Sequence, residues 1–199
     1  MATVLGITGG IGSGKSSTTK ILSEILNAPI LDADIIAKQA LTDEEIIDKI
    51  KNFFGTQLFD KENSLNKSEL SKLVFGDTKK LLELNKIIHP YVMKKIADNI
   101  KILGTEHNYI LLDVPLPNSE FINLSDKIIV VVANDETRIK RAMERLNISE
   151  EEVKKRISKQ MPIENYIKLA DFIIKNNGTL EELKNNLYEL CDNNNFLKS

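Results

Sequence analysis

Cysteine occurs once in the 199 residues, as Cys191. An internal disulfide is therefore impossible, and a reducing compartment is the consistent setting. The start lacks a basic stretch followed by an apolar one, and no apolar run approaches the ~18 residues of a membrane span. The expectation is a cytoplasmic protein. Charge of either sign is not in excess, the net value being −2. No global field draws the chain toward nucleic acid or an anionic membrane, so neither is expected as a partner, and any phosphate binding has to be local. No repeat recurs at solenoid periods. A hydrophobic content of 42% with 28% charged residues suits one well-buried core, with at most a small appended lobe. Glycine is scarce over most of the chain, because five of the nine lie between Gly6 and Gly14.

That cluster is the feature the rest is organised around. In Val4–Thr19 (VLGITGGIGSGKSSTT) a short apolar run meets the glycines, and a hydroxyl-rich helical segment follows at once. Gly9, Gly14, Lys15 and Ser16 fit the phosphate-loop pattern G-x-x-x-x-G-K-[ST]. Glycines let successive backbone N–H groups converge on phosphate oxygens. Lys15 is placed to reach the β- and γ-phosphates and the Ser16 hydroxyl to ligate Mg²⁺, with the positive end of the helix behind them. The bland alternative, a tight turn with a surface lysine, lacks a reason for strand before and helix after.

Downstream, Ile21, Leu22, Ile25 and Leu26 keep helical spacing, Pro29 closes the element, and Ile30-Leu31 reads as a second strand. This opens a parallel α/β sheet. From Ile35 to about His107 the reading is helical, roughly twice the length of a normal crossover, and predicts an inserted lobe able to hold an acceptor. Within it Thr42 and Glu45 read as a capping box, and Pro90 as a helix boundary or first turn. The sheet resumes at Tyr109–Asp113 and Ile128–Val132, apolar as strands covered on both faces must be, and ends at Phe172–Ile174. Thr179 and Glu182 cap a final amphipathic helix.

Four groups of polar residues stand where chemistry is done. Asp32 and Asp34 follow the second strand, at the carboxyl edge where open α/β sheets bind ligands. If the chain stays extended they point to one side. One could take a proton from an attacking hydroxyl and the other help hold a metal shell; equally, Asp34 could cap a helix starting at Ile35 and Asp32 be a loop carboxylate. Asp113 ends the third strand, from which phosphate-loop enzymes hold Mg²⁺, directly or through water; a turn residue before Pro115 is the alternative. Arg138, Arg141 and Arg145 share one helix face within a stretch, Glu136 to Gln160, that carries eight basic residues. A solvated face and a lid closing over the transferring phosphate both remain open. His89, before Pro90, reads first as a buried or capping histidine.

GITGGIGSGKSS, DADIIAKQA, LNKIIHPYV, LLDVPL, ETRIKRAMER and ADFIIKNNG run in order from Gly6 to Gly178, and together they resemble the dephospho-coenzyme A kinase family. The resemblance implies a P-loop NTPase-type three-layer α/β/α fold. It has a five-stranded parallel core (1–34, 108–135, 168–199), a helical acceptor lobe (35–107) and a lid (136–167). It implies Mg²⁺- and ATP-dependent transfer of the γ-phosphoryl group to the ribose 3′-hydroxyl of dephospho-coenzyme A, by a monomer or weak homo-oligomer. Carried over, Gly10, Ile11, Gly12, Ser13, Gly14, Lys15, Ser16 and Ser17 cradle ATP, with Arg141 and Arg145 from the lid and Asn177 near the base. Asp34 is the general base, with Lys15 and Arg141 completing the catalytic set. Thr8, Asp32, Asp34, Lys38, His89, Pro115 and Leu116 face the acceptor, and Ser16 and Asp113 the metal.

Three positions depart from the family's pattern. Lys38 stands where arginine is usual, so a bidentate contact becomes a point charge. Pro117-Asn118-Ser119-Glu120 replaces Leu-Phe-Glu after Val114-Pro115-Leu116, and Tyr166-Ile167 replaces a basic pair. Two rivals are weighed. Another nucleoside or small-molecule kinase would share the ATP chemistry. A GTP-dependent switch needs D-x-x-G and N-K-x-D; no glycine has aspartate three places before it, and neither Asn66-Lys67 nor Asn85-Lys86 is completed by the aspartate.

Overall fold

The computed structural model describes residues 2–115 and 117–198. In chain order, β1 (Thr3–Thr8) leads to α1 (Lys15–Leu26) and β2 (Ile30–Asp32). Then come α2 (Ala33–Ala40), α3 (Glu44–Phe54), α4 (Lys67–Phe75) and the long α5 (Thr78–Leu103). After β3 (Tyr109–Asp113) follow α6 (Ser119–Leu124), β4 (Lys127–Val132), α7 (Asp135–Leu146), α8 (Glu150–Ile157), α9 (Ile163–Leu169), β5 (Phe172–Lys175) and α10 (Leu180–Asn193). Two compact units result, Met1–Leu31 with Ile100–Ser199, and Asp32–Asn99.

The larger unit holds a five-stranded, all-parallel sheet in the order β2-β3-β1-β4-β5. Strands β1, β3 and β4 are apolar almost throughout because helices cover both faces. Leu5 lies opposite Leu111 and Ile7 opposite Ile129. These four join Val131, Ile174, Leu22 of α1, and Leu183, Leu187 and Cys191 of α10 in one core. Burial pushes the Cys191 thiol up to about 11, so it stays protonated and serves as a small apolar filler. The other face of β1 admits α6 at Gly6, where an added Cβ would lie 2.7 Å from the Phe121 ring and collide with Ser125 Oγ.

The smaller unit is helical, as its sequence predicts. Its core gathers Ala40, Ile46, Ile50, Phe54, Leu58, Leu70, Val74 and Leu84. Two details differ from the expectation. Asp43, not Thr42, caps α3, its carboxylate accepting from Ile46 N–H, while Thr42 Oγ1 donates back to the Gln39 carbonyl at 2.7 Å. Pro90 neither starts nor ends a helix but lies inside the 26-residue α5. Leu84, Val92 and Ile96 are buried at four- and eight-residue spacing across it, so one apolar stripe continues through the proline. Burial on both sides outweighs a local cost of about 3 kcal/mol. Among the described residues no helix is long and apolar enough to cross a membrane.

Phe121 is fully buried and cannot yield to a new methyl at Gly6. Gly6→Ala is expected to lower stability by about 1–3 kcal/mol, read as the shift of a urea unfolding curve.

Candidate active site

The phosphate loop leaves β1 at Thr8 and ends at Gly14, whose φ of 92° is left-handed. A side chain there would run into the Asn176 amide, and one at Gly12 (φ 74°) into the backbone carbonyl of Arg138. Both glycines are thus demanded by conformation and by close approach. Gly14 is also the N-cap of α1, and it supplies no side-chain cap. By contrast α2, α3, α4, α6, α7, α8 and α10 each have a side-chain oxygen accepting from first-turn N–H groups. The first-turn N–H groups of α1 have no intrahelical acceptor, so that end suits an anion.

Lys15 and Thr19 are one helical turn apart and meet Asp113 at the end of β3. Lys15 Nζ pairs with Asp113 Oδ1, and Thr19 Oγ1 donates to Asp113 Oδ2 at 2.9 Å. Asp113 is buried, and its charge is matched by Lys15, as a buried carboxylate requires. Ser16 and Ser17 are exposed at the helix start. The buried hydroxyls of Thr8, Ser13 and Thr18 have no hydrogen-bond partner among the described residues. Buried hydroxyls are normally satisfied, and three orphans around one loop mark a place built for a polar ligand. The donor set for Mg²⁺, the Ser16 hydroxyl and the Asp113 carboxylate, is hard oxygen and fits that ion. Among the described residues no cluster of three or more His, Cys, Asp or Glu could hold a metal alone.

The loop is held from its outer side by residues distant in sequence. Arg138 Nε donates to the Ile11 carbonyl at 3.1 Å, and Ile11 N–H donates to Gln160 Oε1 at 2.8 Å. Asn176 Nδ2 donates to the Ser13 carbonyl at 2.9 Å. Arg141 donates to the carbonyls of Asn176 (2.8 Å) and Gly178 (3.0 Å), and its Nη1 lies 3.7 Å from the Cβ position of Gly14. Arg145 is exposed. Arg138 and Arg141 therefore do not form a merely solvated face. Asn177 Oδ1 accepts from Asn134 N–H at 2.8 Å. Tyr166 is buried, and its hydroxyl donates to the Pro115 carbonyl at 3.4 Å. Burial raises the phenol above its ordinary value, and the nearby Arg138 charge offsets part of this. Leu116 lies outside the described residues.

In the smaller unit Asp32 and Asp34 divide their work differently from an extended pair. Helix α2 begins at Ala33, and Asp32 is its cap, one oxygen accepting from Asp34 N–H (2.8 Å) and Ile35 N–H (3.1 Å). Asp34 stands in the first helical turn, where the macrodipole favours a carboxylate. It is exposed, four residues before the equally exposed Lys38, so both lie on one face of α2. His89 lies half-buried in α5.

Arg138, Gln160 and Asn176 as holders of the loop were not foreseen. For Asn176 a signal existed, since it falls two residues beyond the buried Ile174 and continues the strand's inward alternation.

The dephospho-CoA kinase family model matches residues 3–182. The chain belongs to the dephospho-CoA kinase family. A relative from Bacillus cereus, a dephospho-CoA kinase, is 37% identical over 200 residues, covering 99% of this chain and 100% of its own. One from Carboxydothermus hydrogenoformans is 40% identical over 184 residues, 91% of this chain and 89% of its own. The structure of dephospho-CoA kinase from Campylobacter jejuni superposes with a TM-score of 0.73 at 28% identity, over 96% of each chain. Family membership agrees with the P-loop kinase fold seen in the strand order.

The two aspartates separate by their effect on stability. Asp32→Ala is expected to cost about 1 kcal/mol through loss of the cap. Asp34→Ala should cost less than about half of that, leaving only a first-turn dipole contribution. Chemical denaturation of the two variants side by side checks the assignment.

Proposed function

We propose that the chain transfers the γ-phosphoryl group of ATP to the ribose 3′-hydroxyl of dephospho-coenzyme A, giving coenzyme A and ADP, the last step of coenzyme A synthesis. The observation that carries this reading is the family match over residues 3–182 with an intact phosphate loop. We place the enzyme in the cytoplasm as a monomer or weak homo-oligomer.

The proposed division of labour joins the family resemblance to the geometry of the loop, which supports it in part. Gly10 and Ile11 shape the loop, and Gly12 to Ser17 cradle the phosphates, with α1 adding its positive end. Lys15, already beside the loop on Asp113, neutralises charge that grows on the transferring oxygens. Mg²⁺ would be held by Ser16 and, through water, by Asp113, whose two oxygens are engaged; when bound it supplies further neutralisation of the phosphates. Arg141 and Arg145 add positive charge from α7, and Asn177 stands by the base. On the acceptor side Asp34 takes the 3′-hydroxyl proton as oxygen bonds to the γ-phosphorus and the bond to the bridging oxygen of ADP breaks. Asp32 supports that step by fixing the start of α2, and so the position of Asp34. Thr8, Lys38, His89 and Pro115 contact the acceptor.

A coupled ADP-release assay with Mg-ATP should show turnover with dephospho-coenzyme A and far less with nucleosides or nucleoside monophosphates. Preference for one of the latter would move the chain to another kinase class. Lys15→Ala should keep the fold and lose about 10²–10³ in rate, the worth of one charge-stabilising donor. Asp34→Asn should lower kcat about a hundredfold or more at nearly unchanged stability and ATP affinity. Should Asp32→Asn abolish turnover while Asp34→Asn does not, the base is Asp32.

A further inference from the structure

Among the described residues, Ile11 is the one in the loop whose peptide groups are gripped on both sides by side chains. Its N–H donates to Gln160 Oε1 and its carbonyl accepts from Arg138 Nε, across 149 and 127 residues of sequence. The two partners come from different places, Arg138 from α7 and Gln160 from the turn after α8. Arg138 is itself fixed, buried except for its edge and paired through Nη1 with Asp135 Oδ1 at 3.1 Å. The fit is close: a Cβ at Gly10 would stand 2.7 Å from Arg138 Nη2 and 3.2 Å from Gln160 Oε1.

The two peptide planes that flank the Ile11 Cα, one held at its N–H and the other at its C=O, can no longer turn freely about that residue's φ and ψ. The next residues are the ones whose N–H groups must converge on phosphate. A loop free to turn there would spend part of its time with those donors misdirected, and apparent affinity falls by the competent fraction. We infer that Gln160 is a positioning residue for phosphoryl transfer, fixing the Ile11 peptide together with Arg138 and so presetting the N–H array of the phosphate loop. This rests on reading that loop as the ATP-phosphate site. Asn176 holds Ser13 independently, so loss of Gln160 loosens the loop without dismantling it.

The test compares Gln160→Met, of similar size but with no oxygen, and Gln160→Glu, which keeps an acceptor beside Arg138. Hydrogen exchange on the nucleotide-free protein reads the loop directly. In Gln160→Met, exchange over residues 9–14 should quicken about tenfold, the worth of one buried hydrogen bond. KM for ATP should rise by a similar factor, with kcat, KM for dephospho-coenzyme A and melting temperature nearly unchanged, since bound triphosphate restores the loop. Gln160→Glu should return both exchange and KM toward the parent values. Unchanged loop exchange in Gln160→Met overturns the proposal. So do faster exchange across the whole unit with both KM values moving together, and failure of Gln160→Glu to rescue. Faster loop exchange with an unchanged KM for ATP defeats it in another way, by showing that this loop does not bind the nucleotide; Lys15→Ala with normal turnover would say the same.

Discussion

A loop that offers N–H groups to an anion, as we propose for this one, has few of them left for the hydrogen bonds that secure other backbone. That constraint shapes the larger unit. Strands lend their N–H groups to neighbours and most helices here cap theirs with Asp, Asn, Ser or Thr, but α1 starts at Gly14 with neither device. Stability has to come from the loop's other side. Arg138, Gln160 and Asn176 provide it by bonding to Ile11 and Ser13. Close packing of Gly12 on the Arg138 backbone and Gly14 on the Asn176 amide does the rest. The glycines are therefore needed twice, for left-handed backbone and for the approach of the residues that hold it.

Charge obeys the same logic. Asp113 ends a strand buried on both faces, where an isolated carboxylate would cost several kcal/mol. Lys15 and Thr19, one turn apart on α1, take one oxygen each. The lysine that we propose contacts phosphate thus also keeps β3 and α1 electrostatically matched. Three buried hydroxyls nearby, on Thr8, Ser13 and Thr18, are not satisfied in this way. Polar groups of that kind persist where function, rather than stability, sets the residue.

What could be read in the sequence was what is local. The glycine motif lies within a single turn, the strands announce themselves by apolar runs, and the Thr179–Glu182 capping box forms as its spacing predicts. The residues that brace the loop lie some 125 to 165 positions from it, and apart from the inward alternation that reaches Asn176 nothing in their own neighbourhoods announces the contact. Local rules also failed where two local solutions competed. Both aspartates of Asp32-Ala33-Asp34 can cap, and the helix took the earlier one, which turned an expected extended pair into a cap and a first-turn carboxylate. Thr42 lost to Asp43 in the same fashion. At Pro90 a strong local rule yielded to an apolar stripe that continues on both sides of it.

Two of the three departures from the family's usual residues meet at one segment. Asn118, in the stretch that replaces Leu-Phe-Glu, caps α6 by accepting from Phe121 N–H at 2.8 Å, and Phe121 is the side chain that packs on Gly6 of β1. Tyr166, in place of a basic residue, buries its ring and donates its hydroxyl to the carbonyl of Pro115, three residues before that cap. A lysine or arginine could not be buried there without a partner for its charge. Tyrosine can, because its single polar atom finds the carbonyl. Both residues thus act on the chain that follows β3, the phenol at Pro115 and the cap at Asn118. On the proposed reading, positive charge for the phosphates then falls more heavily on Lys15, Arg141 and Arg145.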